Sequence, residues 1–443
     1  MLGTAVLAAA LALPVHVVDE LRLEDVEGRA AVGLVVPGAG PETSREIALA
    51  SLRCGEVVNS LREREPECAD PIELRTGMPD GPAIVLQLPR GGRQANDERY
   101  PIALVGADGV LTSDSTRLDG IVSIADVAAG ELETAPGDAE DVRALDGRIA
   151  DNGTARLPAG LIAAAIIVVM ALKRPRAAVS AFATGALANL VLGVLGISEP
   201  WLTVPLIALG TAAGVLAAPS AWLLAGTIAA YLVAMAVDPA YVALSPLGPT
   251  QNSRFYGISN LLETMLLVPA LAGAWLAGRR WLVPVAALAL VMVAGSRFGA
   301  DGGGALVLAA GFAVLVRGRW SLALAGLAVV LVAVDALVGP STHVGESLRD
   351  GSVFSDLRER LELSWERATD GPLVALATAA ALAALAVLVA RGPRHPLAWA
   401  FAAAIGVSLL VNDSPQDVAV GGLVGYLAVA GYTSTDEAAR IRT

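Results

Sequence analysis

Eleven apolar stretches in residues 157–432 constrain this chain more than any other feature. Short polar loops separate the stretches, and a soluble protein would have too little polar surface to cover them. Several are shorter than the roughly 20 residues that cross a bilayer, and we expect their Gly-rich ends to complete the span. The sequence therefore predicts an α-helical polytopic membrane protein with about 11 transmembrane helices. The stretches are Leu157–Leu172, Ala177–Ile197, Trp201–Ala218, Ala221–Val237, Ile258–Ala277, Trp281–Ala294, Gly303–Val316, Trp320–Val338, Pro372–Ala390, Pro396–Val411 and Val418–Tyr432.

The charge is unevenly distributed, since residues 1–156 hold 27 of the 43 acidic residues and 14 of the 31 basic ones. Nucleic-acid binding needs a basic patch, so this balance excludes a nucleic-acid partner. Four strand-like runs and one helical segment predict a small α/β domain over residues 19–156, with an acidic linker from residue 130 to its end. The runs are Ala31–Pro37, Ala83–Leu88, Ile102–Val105 and Gly120–Ile124, and the helical segment is Glu42–Arg64, capped by Thr43 or Ser44.

Residues 1–18 are interpreted as a signal-like or anchor segment, because Leu2–Leu13 is apolar but short for a span. If this segment is retained, the helix count rises to twelve. We assign residues 157–432 to the transmembrane bundle and residues 433–443 to a cytoplasmic tail. The only two cysteines, Cys54 and Cys68, are either a disulfide or two free thiols. With three histidines and no Cys/His cluster, we expect no metal site, and the sequence identifies no cofactor.

The orientation follows from basic loops, because short loops rich in Lys and Arg stay in the cytoplasm. Every odd-numbered stretch except the third ends in a basic cluster. The rule places the tail in the cytoplasm and residues 19–156 outside the cytoplasmic (inner) membrane, with every long polar loop also outside. The clusters contain Lys173, Arg174 and Arg176, then Arg279 and Arg280, Arg317 and Arg319, Arg391 and Arg394, and Arg440 and Arg442.

The first candidate site is the segment of residues 254–263, which enters the fifth stretch. Asn260 and Glu263 are spaced to share a helix face. A carboxylate inside an apolar run is unfavourable unless it is paired or lines a wet cavity, and Arg254 is the expected counter-ion. Tyr256, between Arg254 and Glu263 in sequence, belongs to the same candidate site. The segment is either a substrate or proton site or a structural Arg–Glu tie.

The second candidate site is the glycine-rich segment of residues 295–304, before the seventh helix. Such glycines let backbone N–H groups face an anion at a helix N-terminus, and Arg297 adds positive charge. Asp301 opposes simple anion binding and is a candidate helix cap or ligand. Gly302 and Gly303 are candidate substrate contacts, and the alternative is close helix packing by small residues.

The third candidate lies in the loop of residues 339–371, where Phe354, Leu357, Leu361 and Trp365 form one helical stripe. This spacing predicts an amphipathic helix that either lies on the outer leaflet or packs over the bundle. Arg360, on another face, is a candidate substrate contact.

Two further polar positions are His343, in the same loop, and Asn412-Asp413, between the last two stretches. His343 is a candidate general base, although a lone loop histidine is more often incidental. Asp413 is a candidate catalytic carboxylate and Asn412 a candidate substrate contact. The alternative is that they cap the tenth helix.

Four short motifs in this order resemble a group of bacterial polytopic membrane proteins of unassigned function. The motifs are Arg254-Phe-Tyr-Gly-Ile-Ser-Asn260, Gly299-Ala-Asp-Gly-Gly303, His343-Val-Gly345 and Asn412-Asp-Ser414.

Proteins of that group carry an external N-terminal domain that resembles the alkaline-phosphatase superfamily. Here Ala31–Gly38, Leu111–Arg117 and Gly120–Asp126 are similar to segments of that superfamily, and Asp19 stands near its first metal-ligand position. Its later Asp and His ligands are not evident. The resemblance implies a degenerate, non-catalytic domain that binds a phosphorylated headgroup.

The favoured function is a cell-envelope protein that handles a lipid-linked or phosphate-bearing substrate at the outer face, as a glycan transferase or polymerase does. The expected partners are membrane lipids and a polyprenyl-linked or other phosphate-bearing substrate; the sequence identifies no protein partner. Arg254, Arg297 and Arg360 would hold the phosphate, and Glu263 or Asp413 would act as general base. One alternative is a transporter or flippase that uses Glu263 and Asp335 as ion sites. The other is a non-catalytic assembly scaffold, so the sequence leaves open whether the protein is an enzyme.

Overall fold

The computed structural model describes residues 13–441 apart from 27, 56, 59, 61–71, 250–254, 300, 317, 339–352 and 413. Within the helices, the side chains of residues 335–338, 353–357, 359–360 and 436–441 are also outside the description. The chain divides into two compact units. The first comprises Met1–Ala150 and Pro249–Tyr256, and the second comprises Asp151–Gly248 and Gly257–Thr443.

The first unit is built on a mixed β-sheet whose central strands are apolar and buried on both faces. Its described strands are β1 (Val15–Val18), β2 (Ala30–Val36), β3 (Glu42–Thr43), β4 (Leu74–Thr76), β5 (Ala83–Gln87), β6 (Gln94–Ala95), β7 (Tyr100–Val105), β8 (Val110–Thr112), β9 (Ile121–Ser123) and β10 (Glu133–Ala135). Its helices are α1 (Leu23–Val26), α2 (Arg45–Cys54) and α3 (Ile124–Ala129). The unit is therefore α/β, as predicted.

The main sheet has the strand order β10-β8-β2-β7-β5-β1-β4, and β9 also pairs with β2. Strand β5 is antiparallel to β7 and parallel to β1, so the sheet is mixed. Strands β3 and β6 form a separate two-stranded ribbon. All four strand-like runs of the sequence coincide with strands of the main sheet.

Two details of this unit refine the sequence-based expectations. The predicted boundary at residue 18 is wrong, because Val15–Val18 is a buried strand of the main sheet. Of the two proposed caps, Ser44 begins α2, since its hydroxyl accepts a hydrogen bond from the Ile47 N–H at 3.3 Å. Cys54, the last residue of α2, is disulfide-bonded, and Cys68 lies outside the described residues.

The predicted acidic linker is wrong for residues 139–156, which are helical. Helix α4 (Ala139–Lys173) begins in the acidic segment and continues into the first apolar stretch. The acidic residues near its start are favourable for a helix, because negative charge near an N-terminus complements the helix dipole. The low apolar content of this segment therefore led to its assignment as a linker, although the segment is a solvated helix.

The second unit is a helical bundle, and each of the eleven apolar stretches overlaps one of its helices. After α4 come α5 (Pro175–Leu195), α6 (Pro200–Ala212) with a 3₁₀ turn (Ala213–Val215), α7 (Ala221–Val237), α8 (Ala240–Ala243), α9 (Asn260–Ala277), α10 (Leu282–Ala294), α11 (Gly302–Leu315), α12 (Arg319–Val338), α13 (Val353–Thr369), α14 (Pro372–Arg391), α15 (Pro396–Val411) and α16 (Pro415–Ile441). Among the described residues, five of these helices are long and apolar enough to cross a membrane: α4, α5, α9, α14 and α16.

The bundle is apolar on its outside as well as in its core. Large apolar side chains such as Leu216 and Trp222 are about 90% exposed, at 88% and 91%. Phe182, Phe312 and Phe401 are fully buried inside. A soluble protein rarely exposes so much contiguous apolar surface, whereas lipid contact accounts for it.

A buried polar network fixes the connection between α7 and α9 to the bundle core. The Asn189 side-chain amide, on α5, donates to the Tyr231 hydroxyl at 3.1 Å and to the Ser245 hydroxyl at 3.0 Å. Its carbonyl oxygen accepts from the Leu247 N–H at 2.8 Å. The Tyr231 hydroxyl donates to the Ala186 carbonyl at 2.8 Å. Every group in this network thus has a partner, as burial requires.

The variant Asn189→Ala should lower the stability of the bundle by about 1–3 kcal/mol, because it leaves buried donors and acceptors without partners. Tyr231→Phe removes one hydroxyl from the same network and should lower the stability of the bundle less than Asn189→Ala does. Thermal unfolding of the detergent-purified proteins measures both effects. An Asn189→Ala protein that unfolds at the wild-type temperature would contradict the structural role of this network.

Candidate functional site

The centre of the site is Glu263, in the first turn of α9. Ser259 begins this helix: its hydroxyl accepts from the Leu262 N–H at 3.1 Å and donates to the Leu247 carbonyl at 2.7 Å. The start of α9 is therefore held on the segment that the Asn189 network also fixes. Glu263 is only 2% exposed. Its place in the first turn is electrostatically favourable, because the N-terminal end of a helix is partially positive.

Asn412 provides a hydrogen-bond donor for this buried carboxylate. It caps the C-terminus of α15, where its N–H donates to the Ser408 carbonyl at 2.9 Å. Its side-chain nitrogen lies 2.9 Å from Glu263 Oε2 and 2.8 Å from Ser408 Oγ. Asn412 is itself 5% exposed. Two buried polar groups, 149 residues apart in sequence, thus meet directly.

The glycine-rich start of α11 is the third part of the site. Asp301 is the N-cap, and its carboxylate accepts from the Gly304 N–H at 3.0 Å. A Cβ on Gly304 would lie 3.1 Å from Glu263 Oε1, and one on Gly303 would lie 3.1 Å from Asn412 Oδ1. The glycines therefore let two polar side chains approach the N-terminal backbone of α11.

These contacts define a polar cluster that is formed by residues of α9, α11 and α15. Its members are Glu263, Asp301, Gly303, Gly304, Ser408 and Asn412. The start of α11 lies beside Glu263 Oε1, and the partially positive N-terminus of a helix favours a nearby negative charge. The cluster combines a proton acceptor with backbone N–H groups and amide and hydroxyl donors.

Helix α13 covers one side of the polar cluster. Its Ser364 hydroxyl donates to the Asn412 carbonyl at 3.0 Å, and Arg367 Nη1 lies 3.5 Å from Ser414 Oγ. Leu363 and Ser364 are buried, whereas Leu361 and Trp365 are exposed. Of the predicted apolar stripe, the two described members therefore face away from the bundle.

A close backbone contact shapes the turn before α11. The Gly299 N–H donates to the Met292 carbonyl and the Asp301 N–H to the Val293 carbonyl, both at 3.0 Å. A Cβ on Gly257 would collide with the Gly299 carbonyl, and Gly257 has a φ of 78°. Glycines thus serve close packing at residue 299 and leave room for polar side chains at residues 303 and 304, while anion binding by this segment stays a prediction.

The remaining predicted residues either are not members of the polar cluster or lie outside the described residues. Tyr256 belongs to the first unit, where the Arg117 guanidinium lies 4.1 Å from the centre of its ring. Arg297 is exposed in the turn before α11, and Asn260 is half-buried at the start of α9. Gly302 begins α11. Arg254, His343 and Asp413, and the side chains of Asp335 and Arg360, lie outside the described residues.

Sequence reasoning missed two residues of α4 whose side chains bind the segment between α7 and α9. Arg156, on α4, donates to the Gly248 carbonyl, and Asn152 donates to the Leu244 carbonyl at 2.8 Å. The i, i+4 spacing of Asn152 and Arg156 was a detectable signal, but it fell in the segment taken for a linker.

In the first unit, the segments on which the predicted phosphatase resemblance rests lie together, and the resemblance itself stays a prediction. Strand β9 pairs with β2, and the Ser115 hydroxyl donates to Asp126 at 2.6 Å. Burial raises the pKa of the Asp126 carboxyl, and hydrogen bonds from Ser115 and Ser123 oppose the rise. Asp19 is exposed and lies 3.6 Å from Arg45. Among the described residues, no three His, Cys, Asp or Glu side chains group as metal ligands.

The variant Gly304→Ala should destabilise the protein by about 1–3 kcal/mol through overpacking. Its Cβ would collide with Val293 Cγ1 and press on Glu263 Oε1. The control is Gly406→Ala on α15, where a Cβ meets nothing within 4 Å. Because alanine favours helices, this control should be neutral or stabilising. Equal thermal midpoints for the two variants would contradict the close approach of Val293 and Glu263 to the start of α11.

No family model matches the chain, and no curated protein or solved structure matches it either. What the polar cluster does must therefore be inferred from its own residues.

Proposed function

We propose that this protein is a multi-pass protein of the cytoplasmic membrane that binds and transforms a lipid-linked or phosphate-bearing substrate at its outer face. The observation that carries the proposal is the buried hydrogen bond between Asn412 and Glu263, at 2.9 Å. Carboxylates within apolar bundles are energetically unfavourable, and where they occur they usually mark substrate, ion or proton sites.

In this proposal Glu263 is the general base. A base must accept a proton from a positioned nucleophile, and Asn412 fixes the orientation of the carboxylate that does so. The carboxylate is thereby held in a single geometry for proton transfer.

The phosphate group of the substrate would lie at the N-terminus of α11. Gly302 and Gly303 expose backbone N–H groups there, and the helix dipole favours negative charge. Arg297, which precedes this terminus and is exposed, would add charge-assisted hydrogen bonds. The basic loops of the sequence support the orientation that puts this end of the bundle outside.

A second candidate, a proton-coupled transporter, is favoured by one specific observation. Glu263 is 2% exposed, so that a change in its protonation would change the charge inside the bundle. A transporter would use that change to alternate between two conformations. Both candidates require Glu263, but they differ in whether the substrate is chemically altered.

The variant Glu263→Gln should lower turnover at least about 100-fold, because removing a general base typically loses that much. The assay incubates the protein in nanodiscs with a bacterial lipid extract containing polyprenyl phosphates, and mass spectrometry follows the phosphate-bearing lipids. The control is Glu362→Gln, the same change at an acid 58% exposed on α13, which should keep wild-type turnover.

Wild-type turnover by a folded Glu263→Gln protein would remove Glu263 from the mechanism. If the wild-type protein changes no lipid but accumulates a substrate in proteoliposomes, and Glu263→Gln abolishes coupling to a proton gradient, the transporter replaces the enzyme. Thermal unfolding establishes whether each variant is folded.

A further inference from the structure

A groove on the lipid-facing side of the bundle lies along the C-terminal part of α4, away from the acidic residues at the start of that helix. It has a volume of about 420 Å³. Most of its wall comes from apolar residues of α4, and Val215, in the 3₁₀ turn after α6, lies opposite. The α4 residues include Ala165, Val169 and Met170, while Lys173 and Arg174 line one end.

Val215 reaches the groove from the 3₁₀ turn that follows α6 at Ala213. Gly214 in that turn packs against the Ala181 backbone of α5, where a Cβ would lie 2.5 Å from the Ala181 nitrogen. This contact holds the turn on α5. The apolar face of α4 beside it is left partly uncovered: Val169 is 52% exposed.

One end of the groove is strongly positive. Lys173 ends α4, Arg174 is the single residue between α4 and α5, and Arg176 lies in the first turn of α5; all three are exposed. The N-terminal dipole of α5 adds to this charge. The sequence from residue 157 to residue 198 contains no Asp or Glu, so no acidic residue of this segment neutralises it.

We propose that this groove binds an anionic phospholipid, with an acyl chain along α4 and the phosphate headgroup at Lys173, Arg174 and Arg176. The apolar lining matches a hydrocarbon chain, and the basic end matches a negative headgroup. Basic residues at the cytoplasmic side of membrane helices attract anionic lipids by about 1 kcal/mol each. The predicted orientation of this loop places the headgroup in the cytoplasmic leaflet.

The test uses the full-length protein in nanodiscs with equal amounts of dioleoyl phosphatidylglycerol and dioleoyl phosphatidylcholine. Native mass spectrometry counts the lipids that stay bound. The wild-type protein should retain phosphatidylglycerol in preference. The triple variant Lys173→Gln, Arg174→Gln, Arg176→Gln should reduce that preference about 100-fold, since each of the three charges contributes roughly fivefold. The control Arg391→Gln, Arg394→Gln removes charge from another basic loop and should keep the preference.

A second variant, Val169→Trp, fills the groove without changing its charge. It should reduce retention of phosphatidylglycerol, while the thermal midpoint stays near the wild-type value because Val169 is at the surface. The proposal is overturned if the wild-type protein has no preference for phosphatidylglycerol, or if the control loses as much as the triple variant. Full retention by Val169→Trp would also overturn it, because charge alone would then explain the binding.

Discussion

The structure of the bundle around α9 depends on one constraint: a carboxylate buried among apolar helices must have hydrogen-bond donors. Glu263 meets that requirement through Asn412, at 2.9 Å, and through its place in the first turn of α9. An isolated charge in such surroundings would neutralise or disrupt the fold. The ends of α9, α11 and α15 meet at this side chain.

That constraint explains features that otherwise look unrelated. The glycines at 303 and 304 leave room for Asn412 and Glu263 beside the α11 backbone. Asn412 has two functions, since it caps α15 and orients the carboxylate. Ser364 of α13 in turn holds the Asn412 carbonyl. Hydrogen bonds thus connect polar groups of α9, α13 and α15 beside the start of α11, and such buried networks fix one arrangement of helices only when their members are satisfied.

Local patterns in the sequence predicted much of this fold, because hydrophobic runs identify helices wherever they pack. They also identified Glu263 as a carboxylate in an apolar run, Asp301 and Gly303 in a glycine-rich segment, and Asn412 in a polar segment between two stretches. The pairing of Glu263 with Asn412 could not be predicted, because it joins positions 149 residues apart and leaves no periodic signal. For the same reason Ser408 and Ser364 were missed. Strand β1 and the helical start of α4 were misassigned because composition outweighed tertiary context there.

A double-mutant cycle between Glu263 and Asn412 tests the assembly of the polar cluster most directly. The free energy of unfolding in detergent would be measured for the wild-type protein, Glu263→Met, Asn412→Ala and the double variant. A direct hydrogen bond between buried groups predicts a coupling energy of about 1 kcal/mol or more. Single effects that add to within about 0.5 kcal/mol, as they do for distant sites, would contradict the contact on which the proposed site rests.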